Sequence, residues 1–155
     1  MKNKSILLAG LFFAGIVALT SCTSKTPDQV RKNIISTEKA PAAIGPYSQA
    51  VLVGNTLYCS GQIAIDPKTG ELVVGNIQVE TEQVLKNIRA VLEAAGMGFG
   101  NVVKATVYMK DISNYKAINQ VYAKYFTKKP PARAAVQVAN LPKNVNLEIS
   151  VIAVR

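Results

Sequence analysis

The C-terminal stretch 132–155 reads ARAAVQVANLPKNVNLEISVIAVR, and the fold that this sequence predicts depends on it. It contains two short apolar runs, 132–139 and 146–154, separated by a segment with proline and asparagine. Short runs rich in β-branched residues and bounded by turn residues are typical of strands. We therefore predict two consecutive strands at the end of the chain.

Each of these predicted strands carries one strong charge near its middle. Side chains alternate between the two faces of a strand, so Arg133 shares a face with Ala135, and Glu148 shares one with Ser150 and Ile152. A guanidinium beside small side chains has room for a ligand, and a lone carboxylate among apolar residues is partly desolvated. A single charge in a strand is more often solvated or paired, so both interpretations stay open from the pattern alone. We expect the two groups to meet in a cleft completed by a neighbouring copy of the chain.

The first residues of the chain predict an export signal. Lys2 and Lys4 precede a continuous apolar run at 6–19, which is shorter than the ~20 residues that a membrane-spanning helix needs. Residues 1–21 are therefore predicted to be a signal peptide. The ending Leu-Thr-Ser-Cys at 19–22 resembles a bacterial lipobox, which predicts lipidation of Cys22.

Lipidation would anchor the protein to the bacterial cell envelope, on the periplasmic or surface side. Residues 22–36 would form a tether and residues 37–155 a single domain. Ordinary secretion with cleavage near Ser21, or an uncleaved anchor, remain the alternatives. If Cys22 carries lipid, Cys59 is the one remaining thiol, and its apolar surroundings predict a buried side chain rather than a nucleophile.

The net charge of the chain is +9 and would be +7 without Lys2 and Lys4. A basic protein can bind nucleic acid, but the lysines here are scattered, so we predict no nucleic-acid partner. The sequence contains no histidine, which excludes a Ser-His-Asp triad and the usual zinc clusters. Any chemistry must come from Glu, Lys, Arg, Tyr or Cys.

Three further strands are predicted upstream of the C-terminal pair. Residues 47–53 and 56–63 flank Gly54 and Asn55, a dipeptide that favours a two-residue hairpin turn. Residues 102–109 form a run that is apolar on both faces. The sequence therefore predicts a hairpin and one additional strand.

Two helices separate these strands. Apolar residues at helical spacing predict a helix from about Gln78 to Ala95, and a second helix with Ser113 as its N-cap that ends before Pro130. Asn119 lies next to the apolar stripe of the second helix, where it could support a loop or face a site. The predicted buried stripe comprises Tyr115, Ile118, Tyr122, Tyr125 and Phe126.

This order of elements predicts an α+β domain in which two helices pack on one face of a mainly antiparallel sheet. Because the strand at 102–109 is apolar on both faces, we expect the uncovered face to meet another copy of the chain.

Several separated motifs closely resemble the reactive intermediate deaminase A family, also called the YjgF/YER057c/UK114 family. They are APAAIGPYSQ at 40–49, SGQI at 60–63, PAR at 131–133, and Glu148 followed by IAV at 152–154. The resemblance covers the whole predicted domain. It implies a chorismate-mutase-like subunit and a homotrimer whose sheets form a central barrel, with sites between neighbouring copies.

The resemblance also implies an activity and its residues. Members hydrolyse 2-imino and enamine acids, such as 2-iminobutanoate and 2-iminopropanoate, to 2-oxo acids and ammonia, without metal or cofactor. By this resemblance Arg133 binds the substrate carboxylate and Glu148 orients or activates water. The rest of the implied pocket comprises Tyr47, Ser60, Gly61, the backbone of Ala135 and, as a weaker match, Asn119.

Two other hypotheses remain. Many deaminase-active members have cysteine at the position of Ala135, and export is unusual for the family. These departures motivate a non-catalytic, envelope-anchored trimer that binds small carboxylates or acts as a holdase. An endoribonuclease activity is disfavoured by the lack of histidine and of clustered basic residues.

Overall fold

The computed structural model describes residues 30–155, which form one sheet and two helices. In chain order the strands are β1 (Lys32–Ile35), β2 (Ala50–Val53), β3 (Thr56–Gln62), β4 (Val102–Met109), β5 (Ala132–Gln137) and β6 (Leu147–Val154). Helix α1 (Ile77–Ala94) lies between β3 and β4, and helix α2 (Tyr115–Tyr125) lies between β4 and β5.

The sheet has the order β1-β2-β3-β6-β4-β5. All neighbouring strands are antiparallel except β4 and β5, which are parallel. A parallel pair needs a long crossover connection, and α2 supplies it. The predicted α+β class with a mainly antiparallel sheet is confirmed.

The predicted hairpin is also confirmed. Strands β2 and β3 pair from Ala50 opposite Cys59 to Val53 opposite Thr56, which leaves a two-residue turn between them. Gly54 has φ of 57°, a left-handed conformation that glycine adopts without steric cost.

Strand β1 was not predicted. Residues 32–35 lie within the segment 22–36 that the sequence analysis assigns to a tether, yet they pair in register with β2. This part of the tether prediction is therefore wrong. The strand is short and its side chains are largely exposed, so neither alternation nor an apolar run marks it. The predicted signal peptide, Cys22 and the remainder of the tether lie outside the described residues.

Helix α1 closely matches its prediction. The Asn76 side chain caps its start by accepting hydrogen bonds from the backbone nitrogens of Gln78 at 2.8 Å and Val79 at 3.3 Å. The helix ends just before Gly96, whose φ of 69° suits a residue that follows a helix.

Helix α2 begins later than predicted, and the assignment of Ser113 as its N-cap is wrong. The carboxylate of Asp111 accepts a hydrogen bond from the Ser113 backbone nitrogen at 2.8 Å. This bond opens a short 3-10 helix, Ile112–Asn114, and α2 follows from Tyr115. Ser113 therefore lies inside the 3-10 helix, and α2 starts after Asn114 without a side-chain cap hydrogen bond.

The core lies between the helices and one face of the sheet. Alternate residues of each central strand, such as Leu57, Val107 and Ile149, are buried against Ile88 of α1 and Ile118 of α2. The prediction that both helices pack on one face is therefore correct.

Neither helix of residues 30–155 covers the opposite face of the sheet. Part of that face, around Tyr108, packs against a smaller apolar cluster of Ile63, Ile65, Leu141 and Val145. Tyr58, opposite Ile152 in the β3–β6 ladder, is 51% exposed, and Ile34 at the β1 edge is 61% exposed. We call this surface the open face. Neither helix of the described residues combines the length and apolar character needed to cross a bilayer.

Candidate active site

A cleft on the open face contains four of the predicted site residues. It has a volume of about 310 Å³, and we call it the Glu148 cleft. Its lining comprises Ile44, Tyr47, Ser60, Gly61, Ile63, Pro142 and Glu148.

Gly61 allows the backbone of β3 to lie directly against the Glu148 side chain of β6. A Cβ atom added at position 61 would lie 2.6 Å from the carboxylate carbon of Glu148, which is closer than atoms can pack. The register of the β3–β6 ladder also shifts in this region, between Cys59 and Gln62. Glycine is therefore required here for the carboxylate to occupy its position.

The Glu148 carboxylate is half-buried and, within residues 30–155, accepts no hydrogen bond. Removal from water disfavours the charged form, so desolvation raises the pKa of Glu148 above its ordinary value. A carboxylate with a raised pKa that remains open to a cleft is suited to exchange a proton with water or a ligand.

Ser60 and Tyr47 both have one hydrogen-bonding function already occupied. The Ser60 hydroxyl donates to the Ser48 carbonyl at 2.7 Å, so its oxygen can still act as an acceptor. The Tyr47 hydroxyl accepts from the Ile44 backbone nitrogen at 3.2 Å and keeps its own proton as a donor. The lining of the cleft thus offers a phenolic donor and a carboxylate.

The segment that carries Tyr47 is fixed to the sheet by the buried Gln49, a role that was not predicted. Its side-chain oxygen accepts from the Thr37 backbone nitrogen at 2.7 Å. Its nitrogen donates to the carbonyls of Ala40 at 3.2 Å and Pro41 at 2.7 Å. A glutamine before a strand is common, and no sequence pattern shows which carbonyls it would reach.

Arg133 lies on β5, which is the edge strand at the opposite side of the sheet from β1, and it contacts α2. One terminal nitrogen donates to Asn119 Oδ1 at 2.7 Å and the other donates to the Tyr115 hydroxyl at 3.0 Å. The guanidinium carbon lies 4.7 Å from the centroid of the Tyr122 ring, within cation–π range. We call these four residues the Arg133 cluster.

The charge of Arg133 is not neutralised by any acidic residue of the described chain. The one ion pair found within residues 30–155 joins Lys86 and Glu82 on α1. Every group that holds the guanidinium is neutral, so its positive charge remains available to an anion. Asn119, left open between a structural and a site role, is a direct partner of Arg133.

The pKa values of the two tyrosines beside Arg133 shift in opposite directions. Hydrogen bonding to Asn119, together with the charge of Arg133, lowers the pKa of Tyr115. Burial raises the pKa of Tyr122 to about 12, although the Arg133 charge opposes this. Both belong to the predicted buried stripe of α2, but Tyr115 is 42% exposed, so that prediction is wrong for Tyr115.

Ala135 presents its backbone at the free edge of the sheet. The Val138 nitrogen donates to the Met109 carbonyl at 2.9 Å, and backbone groups on the same side of a strand recur at every second residue. The N–H and C=O of Ala135 therefore point away from β4. Within residues 30–155, no strand pairs with this edge.

Within one copy, Arg133 and Glu148 lie on opposite faces of the sheet. Arg133 is paired in register with Ala105, which is buried beneath the helices, whereas Glu148 is paired with Tyr108. Ala105 and Tyr108 are three residues apart in β4 and so point to opposite faces. A single chain thus divides the predicted residues between the Glu148 cleft and the Arg133 cluster.

Glu80, missed by the sequence analysis as a structural residue, fixes the start of the strand that carries Glu148. It is fully buried, and its carboxylate accepts from the backbone nitrogens of Asn146 at 2.8 Å and Leu147 at 3.2 Å. The Asn146 side chain donates to it as well, at 2.9 Å. Acidic residues are common near the start of helices because the helix dipole favours them, so the sequence does not show that Glu80 contacts β6.

Replacing Glu80 with alanine is expected to destabilise the fold by about 3 kcal/mol, because it leaves a buried backbone N–H without a partner and creates a cavity. Urea unfolding at fixed protein concentration measures the effect. Glu80→Gln keeps one acceptor oxygen and should lose only about 1 kcal/mol. A loss below about 0.5 kcal/mol for Glu80→Ala, as for an ordinary surface substitution, would contradict this role.

Among residues 30–155, no three His, Cys, Asp or Glu side chains lie close enough together to hold a metal ion. Cys59 is buried, and its pKa is raised to about 12 by desolvation. Its thiol is therefore protonated at neutral pH and unreactive, as its apolar surroundings predict.

The chain is similar to known proteins in sequence and in structure. Residues 37–155 match the family described as Endoribonuclease L-PSP. The 2-iminobutanoate/2-iminopropanoate deaminase of Bos taurus is 58% identical over 126 residues, which is 81% of this chain and 91% of that protein.

Two solved structures extend the match to three dimensions. A structure described as a putative endoribonuclease of Thermotoga maritima is 53% identical with a TM-score of 0.78, covering 79% of this chain and 97% of that one. Escherichia coli TdcF with bound serine is 44% identical with a TM-score of 0.76, covering 79% and 98%.

Proposed function

The chain belongs to the Endoribonuclease L-PSP family, and from this membership and the two groups of site residues we propose that it is a hydrolytic deaminase of 2-imino and enamine acids. Its substrates would be of the 2-iminobutanoate and 2-iminopropanoate type, and its products 2-oxo acids and ammonia. The observation that carries the proposal is an unneutralised guanidinium held by neutral acceptors, combined with a carboxylate of raised pKa on the opposite face.

The proposed reaction needs only a group that binds the substrate carboxylate and a group that transfers protons, because a protonated imine carbon is already electrophilic. Arg133 binds the substrate carboxylate with charge-assisted hydrogen bonds. Glu148 takes a proton from water as the water oxygen adds to the imine carbon. It then returns this proton to the nitrogen of the tetrahedral intermediate. As the C–N bond breaks, its electron pair leaves with ammonia, the hydroxyl proton of the intermediate passes to the Glu148 carboxylate, and the carbonyl of the 2-oxo acid forms.

Because Arg133 and Glu148 of one copy face opposite sides of the sheet, the proposed site requires two copies. We propose a homotrimer in which the open faces form a central barrel. The Glu148 cleft of one copy would then face the Arg133 cluster of its neighbour. The uncovered apolar residues of the open face support this assembly, since monomers rarely leave such surfaces exposed. Analytical ultracentrifugation tests it, and a monomer at micromolar concentration would contradict it.

The activity itself is tested by generating 2-iminopropanoate in situ and measuring ammonia release with and without the purified protein. Acceleration is expected. Carboxylate binding that depends on Arg133 but brings no acceleration would instead favour the non-catalytic, carboxylate-binding alternative. An endoribonuclease would show an affinity for RNA that falls steeply with salt concentration.

Envelope anchoring is proposed separately, from the sequence of residues 1–22 alone. A lipid on Cys22 would hold the domain at the bacterial cell envelope, joined to it by the shortened tether. Mass spectrometry of the mature N-terminus tests this. A mature protein that starts elsewhere, or that carries no lipid, would contradict it.

Replacing Gly61 with alanine is expected to lower kcat about 10²-fold or more with little change in stability. The added methyl group would displace the Glu148 carboxylate, and catalysis is sensitive to shifts of about 1 Å. Steady-state kinetics and thermal unfolding measure the two effects. Gly98→Ala is the matched control, since a Cβ there meets no atom within 4 Å. Equal kcat in Gly61→Ala and wild type would show that the close approach is unimportant.

A further inference from the structure

The guanidinium of Arg133 is held at both terminal nitrogens, and the two acceptors come from a single helix. Asn119 Oδ1 lies 2.7 Å from one nitrogen and the Tyr115 hydroxyl 3.0 Å from the other. Tyr115 and Asn119 are four residues apart in α2, so they lie on the same helix face, one turn apart. This spacing lets one rigid helix hold both terminal nitrogens of the guanidinium.

Two anchors restrict the guanidinium more than one would. With Asn119 alone, the planar group could swing about a single hydrogen bond, because the arginine side chain is long and flexible. The second bond to Tyr115 restrains its orientation, and the Tyr122 ring packs against it. A group that is held in its binding geometry before the ligand arrives loses less conformational entropy on binding.

The chemistry of the second anchor matters as well. A carboxylate at position 115 would form an ion pair with Arg133 and compete with an incoming carboxylate. A phenol holds the nitrogen by accepting one hydrogen bond while leaving the positive charge uncompensated. Tyr115 is also exposed on the side away from the core, so its hydroxyl is not needed for the packing of α2.

We propose that Tyr115 is a positioning residue for carboxylate recognition, acting through Arg133. Its hydroxyl holds the second terminal nitrogen so that the free N–H groups of the guanidinium face the substrate carboxylate. This inference rests on the proposed function of Arg133 as the carboxylate-binding group.

Tyr115→Phe in the full chain isolates the hydroxyl, because phenylalanine keeps the ring that lies 5.5 Å from the guanidinium carbon. The expected result is a KM for 2-iminopropanoate raised about tenfold with kcat unchanged. This pattern is expected because the variant would bind the substrate and the transition state more weakly by the same factor. The Kd of the product analogue 2-oxobutanoate, measured by calorimetry, should rise by the same factor.

Tyr125→Phe is the matched control on the same helix. Its hydroxyl donates to Glu82 Oε1 at 2.6 Å and makes no contact with Arg133. This variant also loses one tyrosine hydrogen bond, so it reports any general effect on α2. Its KM and its Kd for 2-oxobutanoate should equal those of the wild type.

The two measurements separate this inference from the proposed activity. If the wild type shows no turnover but Tyr115→Phe still weakens 2-oxobutanoate binding, the deaminase proposal fails and the positioning role stands. If turnover is present and Tyr115→Phe leaves both KM and Kd unchanged, the positioning role is overturned and the activity stands. Wild-type protein that binds no 2-oxobutanoate, or equal losses in both tyrosine variants, would also overturn it.

Discussion

Arg133→Ala is expected to lower kcat/KM for 2-iminopropanoate about 10²- to 10⁴-fold, because it removes two charge-assisted hydrogen bonds worth roughly 1.5–3 kcal/mol each. Arg133→Lys keeps the positive charge but not the planar fork that matches a carboxylate. We expect it to recover only part of the loss, since a lysine ammonium cannot contact Asn119, Tyr115 and the substrate in the same geometry. Steady-state ammonia release over a range of imino-acid concentrations measures both variants.

Arg89 offers a control in similar surroundings. Its guanidinium carbon lies 5.0 Å from the Tyr125 ring centroid and 5.8 Å from that of Phe99, so it is also an arginine packed on aromatic rings. It belongs to α1 and takes no part in the Arg133 cluster. Arg89→Ala should leave kcat/KM within about twofold of wild type, as expected for sites that act independently. Equal activity in Arg133→Ala and wild type would remove the basis of the proposed function.

The architecture was largely predictable because strong local signals coincide with the elements that form the core. Apolar periodicity located α1, and the Gly54-Asn55 turn located the β2–β3 hairpin. Strand β1 escaped prediction because it is an exposed edge strand whose stability comes from backbone pairing with β2, which is a long-range property. The start of α2 was misplaced because a short 3-10 helix, Ile112–Asn114, precedes it and contains Ser113, and that short helix is capped by Asp111.

The candidate site residues could be named from the sequence, but their division between the two faces of one sheet could not. The family resemblance indicated Arg133 and Glu148, and the structure puts each beside other predicted residues. Which face each side chain occupies depends on strand register, and the parallel pairing of β4 with β5 sets that register for Arg133. Tyr115 was missed because a tyrosine at helical spacing usually indicates core packing. The position of Tyr115 four residues before Asn119 was the available signal.

Glu148→Gln is expected to lower kcat about 10²- to 10⁴-fold, the range that general acid–base catalysis contributes. Glutamine has nearly the same shape but cannot accept a proton from water. The activity should also depend on pH, because only the ionised Glu148 carboxylate can take a proton from water. Desolvation raises the pKa of Glu148 above the ordinary ~4.3 of a glutamate. Wild-type kcat/KM should therefore fall as the pH decreases through this raised pKa. Glu93→Gln, which changes an exposed carboxylate on α1, is the matched control and should retain wild-type activity and pH profile.

Mixing two inactive variants tests whether Glu148 acts on a substrate held by another copy. Random assembly of Arg133→Ala chains with Glu148→Gln chains should restore about one quarter of the wild-type sites, because a site between two copies can draw its arginine from one variant and its glutamate from the other. Each variant alone must stay inactive in the same unfolding and reassembly procedure. If Arg133 and Glu148 of the same chain formed one site, every site in the mixture would lack one of these two groups. Activity that never recovers on mixing, with mixed oligomers demonstrated by mass spectrometry, would therefore contradict a site shared between copies.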